Sequence, residues 1–368
     1  MPRTVLSAAI FFVTACFTSP GVFGQKIMCK NPAGKPVDWF VVYKLPKTKP
    51  VNGYIPLRGG EMAYFDSSTQ GTWILLRSDI YLPIYNPIRE TLAPIYGKTQ
   101  DRNVAFLAYN DQLPEKFKGT RGGHSKGILL AGTKQKQGLV WLQHSVPRFV
   151  EDLNQGYAYP DSGRENGQLF LCLSLPLHSV NTVAQHLQVQ AANVYLSNSP
   201  DWASKYQDFW KILQRNYTRS PKQMQVDVLL TRRKQEHVLA IAKPPNYPKD
   251  IYTEELGSQM NDSIMVQSWQ NGAGGAQTMH CTNKYNVNDV NMIGVFTKSG
   301  KAAFSSKEDH SKWYVTRRKN IFCFSSLNRM RSQMKRGGEI TCLLDPGLAE
   351  LFRKSIVLRN RCKNDKAE

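Results

Sequence analysis

The sequence predicts a layered α/β fold built from two halves of similar structure. Two observations carry that expectation. Strand-like and helix-like segments alternate along the chain, which favours sheets covered by helices. One short pattern also occurs twice, as Gly123-His124-Ser125-Lys126-Gly127 and as Asp309-His310-Ser311-Lys312-Trp313, with its histidines 186 residues apart in a chain of 368. Each copy is followed by a strand-like segment and then by a strand that ends on a polar residue. In the first half that strand is Leu139 to Leu142, reaching His144; in the second it is Phe322 to Leu327, reaching Asn328. Hydrophobic residues at 41% and charged residues at 21% exclude a globally disordered or collagen-like chain.

Taken in order, the chain opens with Arg3 and an almost wholly apolar stretch from Val5 to Thr18. Gly24 follows, and then polar Gln25-Lys26. This predicts a secretory signal peptide over residues 1–24, and the apolar run is short for a membrane span. Val37 to Tyr43, set between Pro36 and Pro46, is β-branched and aromatic and reads as a buried strand. Lys44 to Tyr54, rich in Lys and Pro, reads as a loop. Further strands are expected at Asn103–Tyr109, Gly127–Gly132, Gly138–Gln143, Gln168–Leu173, Val226–Leu230, Met292–Phe296 and Ile321–Phe324. Helices are expected at Val180–Gln190, Trp202–Gln214 and Tyr252–Met260. The halves are expected to divide as 25–190 and 191–368. The charged tail after Leu358 reads as loose apart from Cys362. Asn271 to Gly275 is glycine-rich but lacks a following Gly-Lys-Ser/Thr, so it reads as a loop rather than a phosphate cradle.

Cysteine usage agrees with export. Cys16 leaves with the leader, and Cys29, Cys172, Cys281, Cys323, Cys342 and Cys362 remain as an even set with no Cys-x-x-Cys pair. Disulfides are therefore expected in preference to a zinc or redox site, with their connectivity open. Asn216-Tyr217-Thr218 and Asn261-Asp262-Ser263 are glycosylation sequons.

The net charge of +20 points to a polyanionic partner such as nucleic acid, an anionic glycan or a membrane surface. If the two His-x-Lys units converge, their extended spacing puts each His beside its Lys on one face. Two lysines would cradle a phosphodiester and stabilise the extra charge of its transition state. One histidine could attack phosphorus while the other protonates the leaving oxygen. His144 and Asn328 could orient rings or donate to phosphate oxygens. No acidic cluster of metal-ligand spacing lies near either unit, so neither a metal nor another cofactor is expected. His178, His186, His237 and His280 read as packed or solvated residues. Arg232 to Lys234, Arg317 to Lys319 and Arg329 to Arg336 read as basic faces, the last two as candidate phosphate contacts flanking His310 and Asn328. Trp313, Tyr314, Phe322 and Phe324 read as core.

At these residues the chain closely resembles the deoxyribonuclease II family of acid endonucleases. The resemblance rests on Val37-Asp38-Trp39-Phe40-Val41-Val42-Tyr43-Lys44-Leu45-Pro46, Tyr109-Asn110-Asp111, the Gly-His-Ser-Lys-Gly block, and Trp141-Leu142-Gln143-His144-Ser145-Val146-Pro147. It continues through Glu308-Asp309-His310-Ser311-Lys312-Trp313, Leu327-Asn328-Arg329 and Arg336-Gly337-Gly338, and is weakest between Gln185 and Gln235. It implies a phospholipase D-like fold, two α/β halves related by a pseudo-twofold axis around one site. It implies metal-independent cleavage of DNA at acidic pH to 3′-phosphate and 5′-hydroxyl ends, with little sequence preference, in lysosomes or after secretion. His124, Lys126, His144, His310, Lys312 and Asn328 fall on the family's site positions, with His124 read as nucleophile and His310 as general acid. The family pattern also implies the pairs Cys29–Cys172, Cys281–Cys362 and Cys323–Cys342. Oligomeric state, monomer or homodimer, stays open.

Two departures sharpen this reading. Ala131 and Arg317 stand where the wider phospholipase D signature has Asp, which argues for the nuclease branch. Tyr314 stands where many family members have Cys. The family also includes basic toxins of marine invertebrates, so a non-catalytic protein that binds DNA or cell surfaces is the alternative.

Overall fold

The β-branched and aromatic run after Pro36 forms β1 (Trp39–Lys44), in which every residue is buried. Its side chains alternate between two cores: Trp39, Val41 and Tyr43 enter one, Phe40 and Val42 the other. A strand buried on both faces has no polar alternation to show, which is why it reads as a continuous apolar run. The structure, a computed structural model, describes residues 27–50, 53–97, 101–134, 137–219, 221–272, 275–282 and 284–363. The expected leader, with Cys16, lies outside the described residues.

The chain is mixed α/β with two sheets. The first contains β1, β2 (Met62–Asp66), β3 (Ile74–Leu75), β4 (Ala105–Tyr109), β5 (Gly127–Ala131), β6 (Leu139–His144), β7 (Gln168–Leu175) and β8 (Val194–Asn198), in spatial order β3-β2-β1-β7-β6-β5-β4-β8. Because β8 pairs with β4, this sheet runs past residue 190. The second sheet contains β9 (Gln225–Leu230), β10 (His237–Lys243), β11 (Ile264–Gln267), β12 (His280–Cys281), β13 (Asn286–Thr297), β14 (Gly300–Ser305), β15 (Trp313–Thr316), β16 (Phe322–Ser325), β17 (Gly338–Leu343) and β18 (Ile356–Arg359). Its main path is β12-β13-β11-β15-β16-β17-β10-β9, with β14 and β18 on β13. The order β1-β7-β6-β5-β4 in the first sheet thus recurs as β10-β17-β16-β15-β11 in the second. Most pairs are antiparallel, and β11 with β13 is parallel.

One core is shared by both sheets. Trp39, Tyr43, Trp141 and Leu173 meet Trp313, Phe324 and Val290 there, and Leu348 and Phe352 of α5 (Pro346–Lys354) fill the space between. Separate clusters back the other face of each sheet. The helix expected at Val180–Gln190 is α2 (Val180–Val189), which buries Val183, Ala184 and Leu187 in the shared core.

Several expected elements differ. Trp202–Gln214 is not one helix: a 3₁₀ segment Asp201–Lys205 gives way at extended Tyr206 to α3 (Gln207–Leu213). Asn181 of α2 caps the new start by accepting from the backbone N–H of Asp208 and Phe209. Tyr252–Met260 begins as a wide helical turn, Ile251–Leu256, capped by the Asp250 side chain, and ends in α4 (Gly257–Met260). A short α1 (Pro87–Leu92), started by an Asn86 cap and a proline, was not expected. Lys44 completes β1 rather than opening a loop. Arg359 is still in β18, paired with Val290, so order continues past Leu358. Disulfides join Cys29 to Cys172, Cys281 to Cys362 and Cys323 to Cys342. No helix among the described residues is long and apolar enough to cross a membrane.

Candidate active site

The two His-Ser-Lys units are not strand residues. Each is an extended lead-in to its strand, β5 or β15. Each is held from the opposite sheet by a single isolated bridge. The backbone N–H of His124 donates to the Gly337 carbonyl at 2.7 Å, and Gly337 N–H donates back to Gly122 at 3.1 Å. In the mirror arrangement His310 N–H donates to the Gly167 carbonyl at 2.9 Å, and Gly167 N–H to Glu308 at 2.8 Å. These bridges need glycine, because a Cβ at Gly167 would collide with Asp309 and one at Gly337 with the Gln190 carbonyl.

The lead-ins meet at an open cleft of about 620 Å³. His124, His310, Lys312 and Asn328 line it, together with Asp111, Ser145, Trp269, Gln333 and Arg336. Lys126 does not line it directly: only 4% of its side chain is exposed, and its ammonium sits on the carboxylate of Asp111, which does. His144 is elsewhere. It ends β6, is 1% exposed, and packs between Phe149 and Phe170 while its Nδ1 accepts from Val146 N–H at 3.2 Å.

The two strand ends are also not equivalent in the way the repeated pattern suggested. His144 N–H donates to the Lys126 carbonyl, and the matching bond to the Lys312 carbonyl comes from Ser325. Ser325 therefore occupies the place of His144, and Asn328 lies three residues beyond it. Asn328 Oδ1 is buried without a hydrogen-bond partner.

Ring chemistry follows from the contacts. His124 Nδ1 lies 2.6 Å from the Ser326 carbonyl, so it must carry the proton and donate it. That leaves Nε2 with a lone pair, 3.8 Å from Asp111 Oδ2. The His310 ring meets the Trp269 ring edge-to-face at 3.9 Å between centroids. Burial, against the pull of Asp111 and with the push of Lys126, Lys312 and Arg336, holds His124 down to about 3. Burial and the charges of Lys312, Lys126 and Lys44 likewise hold His310 to about 3. Burial drives His144 well below the usual histidine range. Lys312 is lowered to about 7 by burial and by Lys126, and its Nζ donates to the His310 carbonyl at 2.6 Å. Burial works to raise the Asp111 carboxyl, but Lys126, His124 and Arg336 outweigh it and hold the group well below the carboxylate range. Among the described residues no group of three or more His, Cys, Asp or Glu side chains could hold a metal ion.

Asp111, Arg336 and Trp269 were not singled out as site residues. Asp111 follows Tyr109-Asn110 at the end of β4, beside the strand that follows Lys126; an acid closing an expected strand, within the Tyr-Asn-Asp block, was the available signal. Arg336 belongs to the run expected to contact phosphate, and its Nη2 lies 3.2 Å from Asp111. Arg329, in the same run, cannot serve there: it is buried and paired with Asp289 at 2.5 Å. Arg317 to Lys319 wrap Asp262, which accepts from the backbone N–H of Arg318 and Lys319 away from the cleft. Trp269 carries no sequence signal beyond its aromaticity. His186 is a packed residue, 2.7 Å from Asp227.

Comparison with known proteins adds the chemistry of relatives. The deoxyribonuclease II family pattern matches residues 28–362. The chain is 31% identical to cell-death-related nuclease 7 of Caenorhabditis elegans over 343 residues, covering 92% of this chain and 89% of that one. It is 31% identical to deoxyribonuclease-2-alpha of Rattus norvegicus over 370 residues, covering 98% and 99%. It is 28% identical to plancitoxin-1 of Acanthaster planci over 371 residues, covering 98% and 100%.

Proposed function

This chain belongs to the deoxyribonuclease II family, and from that membership we propose that it is a metal-independent acid endodeoxyribonuclease whose cleft cuts DNA to 3′-phosphate and 5′-hydroxyl ends. The observation that carries the mechanism is the pair of histidines facing one basic cleft, with His124 fixed as the Nε2 lone-pair tautomer by the Ser326 carbonyl.

In the first step His124 Nε2 attacks phosphorus, the P–N bond forms and the P–O5′ bond breaks. His310, protonated, gives its proton to O5′, which leaves as a hydroxyl. In the second step neutral His310 takes a proton from water, whose oxygen attacks phosphorus. The P–N bond breaks and the 3′-phosphate is released. Lys312, Lys126 and Arg336 face the phosphoryl oxygens and stabilise the five-coordinate transition state. Asn328, with an unsatisfied Oδ1 at the cleft wall, orients a ring or a bound water. His144 supports Lys126 from behind the cleft.

Acid dependence follows from the charges. In the empty cleft both rings resist protonation because they are buried and, beyond that, because neighbouring cations oppose a further positive charge. A bound phosphodiester supplies the missing negative charge and raises the affinity of His310 for its proton. Backbone phosphates, rather than base edges, are what such a cleft reads, so sequence preference is weak.

The recurring strand order and the reciprocal bridges at Gly167 and Gly337 support a phospholipase D-like arrangement. Its two pseudo-twofold halves are 25–190 and 191–368, with β8 lent to the first sheet. Three disulfides and exposed Asn216 and Asn261 sequons support the secretory pathway, ending in lysosomes or outside the cell. Quenching turnover in alkali and mapping peptides tests the intermediate. A nucleotidyl adduct on the His124 peptide is expected; an adduct on His310 would reverse the two roles.

A further inference from the structure

Two buried lysines lie outside the cleft and bear on both histidines. Lys44 ends β1 and Lys243 ends β10, corresponding positions in the two sheets, and they are 0% and 1% exposed. Lys44 Nζ donates to the carbonyls of Arg164 at 2.7 Å and Asn166 at 2.6 Å. Lys243 Nζ donates to the carbonyls of Met334 at 2.8 Å and Arg336 at 2.7 Å. Neither makes an ion pair among the described residues. An ammonium buried on carbonyls alone is costly, so such a residue calls for a reason beyond packing. Burial lowers Lys44 to about 7 and Lys243 to about 8.

The residues that follow the two tied loops supply that reason. Asn166 is followed by Gly167, whose carbonyl holds His310 N–H; Arg336 is followed by Gly337, whose carbonyl holds His124 N–H. We propose that Lys44 and Lys243 are positioning residues, each fixing the loop of one half whose next glycine sets the backbone of the histidine in the other half. Lys44 thereby serves His310, and Lys243 serves His124. This rests on the reading of His124 and His310 as the reacting groups.

The surrounding charges differ between the two sites, and the difference is measurable. Lys44 is faced by Asp309, Glu61, Glu165 and Arg164, and Lys243 by Asp250. His310 is faced by Lys312, Lys126, Lys44 and His124, so Lys44 also helps to hold its proton affinity down. The charges that act most on His124 are those of Asp111, Lys126, Lys312 and Arg336.

The test measures kcat and KM on DNA from pH 4 to 8 for Lys44→Met and Lys243→Met, with folding checked by circular dichroism. A histidine displaced by a fraction of an ångström predicts kcat lowered about tenfold or more with KM within about threefold. The falling limb of kcat moves to higher pH in Lys44→Met, which has lost a charge facing His310, and stays in place in Lys243→Met. A merely structural lysine would lower the melting temperature and leave the turnover and pH profile of the folded enzyme alone; that result overturns the proposal. Should a methionine variant fail to fold, arginine at the same position keeps charge and donors but displaces the carbonyls. Lowered kcat with an unmoved limb is then expected, and wild-type turnover overturns the proposal. His124→Ala and His310→Ala are measured alongside. Retained turnover there defeats the reading of the histidines themselves, whereas their loss beside fully active lysine variants defeats only the positioning role.

Discussion

The backbone N–H of His124 donates to the carbonyl of Gly337 at 2.7 Å across 213 residues of chain. A histidine that leads into one sheet is thus set by a main-chain bond from a glycine that leads into the other, and the reverse bond joins His310 to Gly167. Neither sheet alone holds the backbone of its own histidine. The cleft is a property of the joined sheets, which explains why so large a shared core lies between them.

The pH profile should separate free enzyme from complex. The free rings sit at about 3 because burial and neighbouring cations disfavour their charged forms. On the proposed mechanism a bound phosphodiester should raise His310. Since kcat/KM reports the free enzyme and kcat the complex, the falling limb of kcat should lie at higher pH than that of kcat/KM. Coincident limbs would mean that substrate charge does not tune the acid.

Arg336 lines the cleft with 30% of its side chain exposed, while its Nε donates to the Gly122 carbonyl at 3.1 Å and its Nη2 to the Gly123 carbonyl and to Asp111. Arg336→Ala should raise KM several-fold for any DNA sequence and reduce the slope of log affinity against log salt by about one. An unchanged salt slope would remove Arg336 from the phosphate contacts.

Asp111 pairs with a nearly buried ammonium at Lys126. Asp111→Asn leaves that charge uncompensated and should destabilise the fold by about 3 kcal/mol. The Asp111 carboxyl is held below its ordinary value, so its stabilisation is complete above that value and is lost only as pH falls through the folded one. The loss should therefore be equal at pH 5 and pH 7 in urea unfolding. A deficit confined to pH 7 would contradict the pairing.

Glu339 behaves oppositely. It is buried against Tyr109 and Gln190, and burial raises it to about 7. A raised carboxyl favours the folded state below that value, so its contribution declines as pH rises from the ordinary carboxylate range to about 7. Glu339→Gln should flatten this decline, gaining roughly 3 kcal/mol over wild type near pH 8. Parallel stability curves for the two proteins would show that Glu339 does not titrate in this window.

Much of this was legible in the residues. The His-x-Lys repeat located both lead-ins, and the strands before and after them followed from apolar runs such as Gly127 to Gly132. What stayed hidden depended on contacts across the sheets. Tyr206 breaks a helix-like pattern because Asn181, far earlier in sequence, offers a better cap. The repeat also suggested that His144 and Asn328 are counterparts, whereas the bonds to the Lys126 and Lys312 carbonyls pair His144 with Ser325. Lys44 and Lys243 looked like a loop residue and an unremarked cation, because only the folded loops supply their carbonyls.

The most direct test of the central claim is plasmid cleavage at about pH 5 in excess EDTA, with end-group analysis of the products, for wild type, His124→Ala and His310→Ala. The account predicts EDTA-resistant cutting to 3′-phosphate and 5′-hydroxyl ends by the wild type, and loss of about a thousandfold or more in both variants with folding retained. Activity abolished by EDTA, 5′-phosphate ends, or full activity in either variant would contradict it.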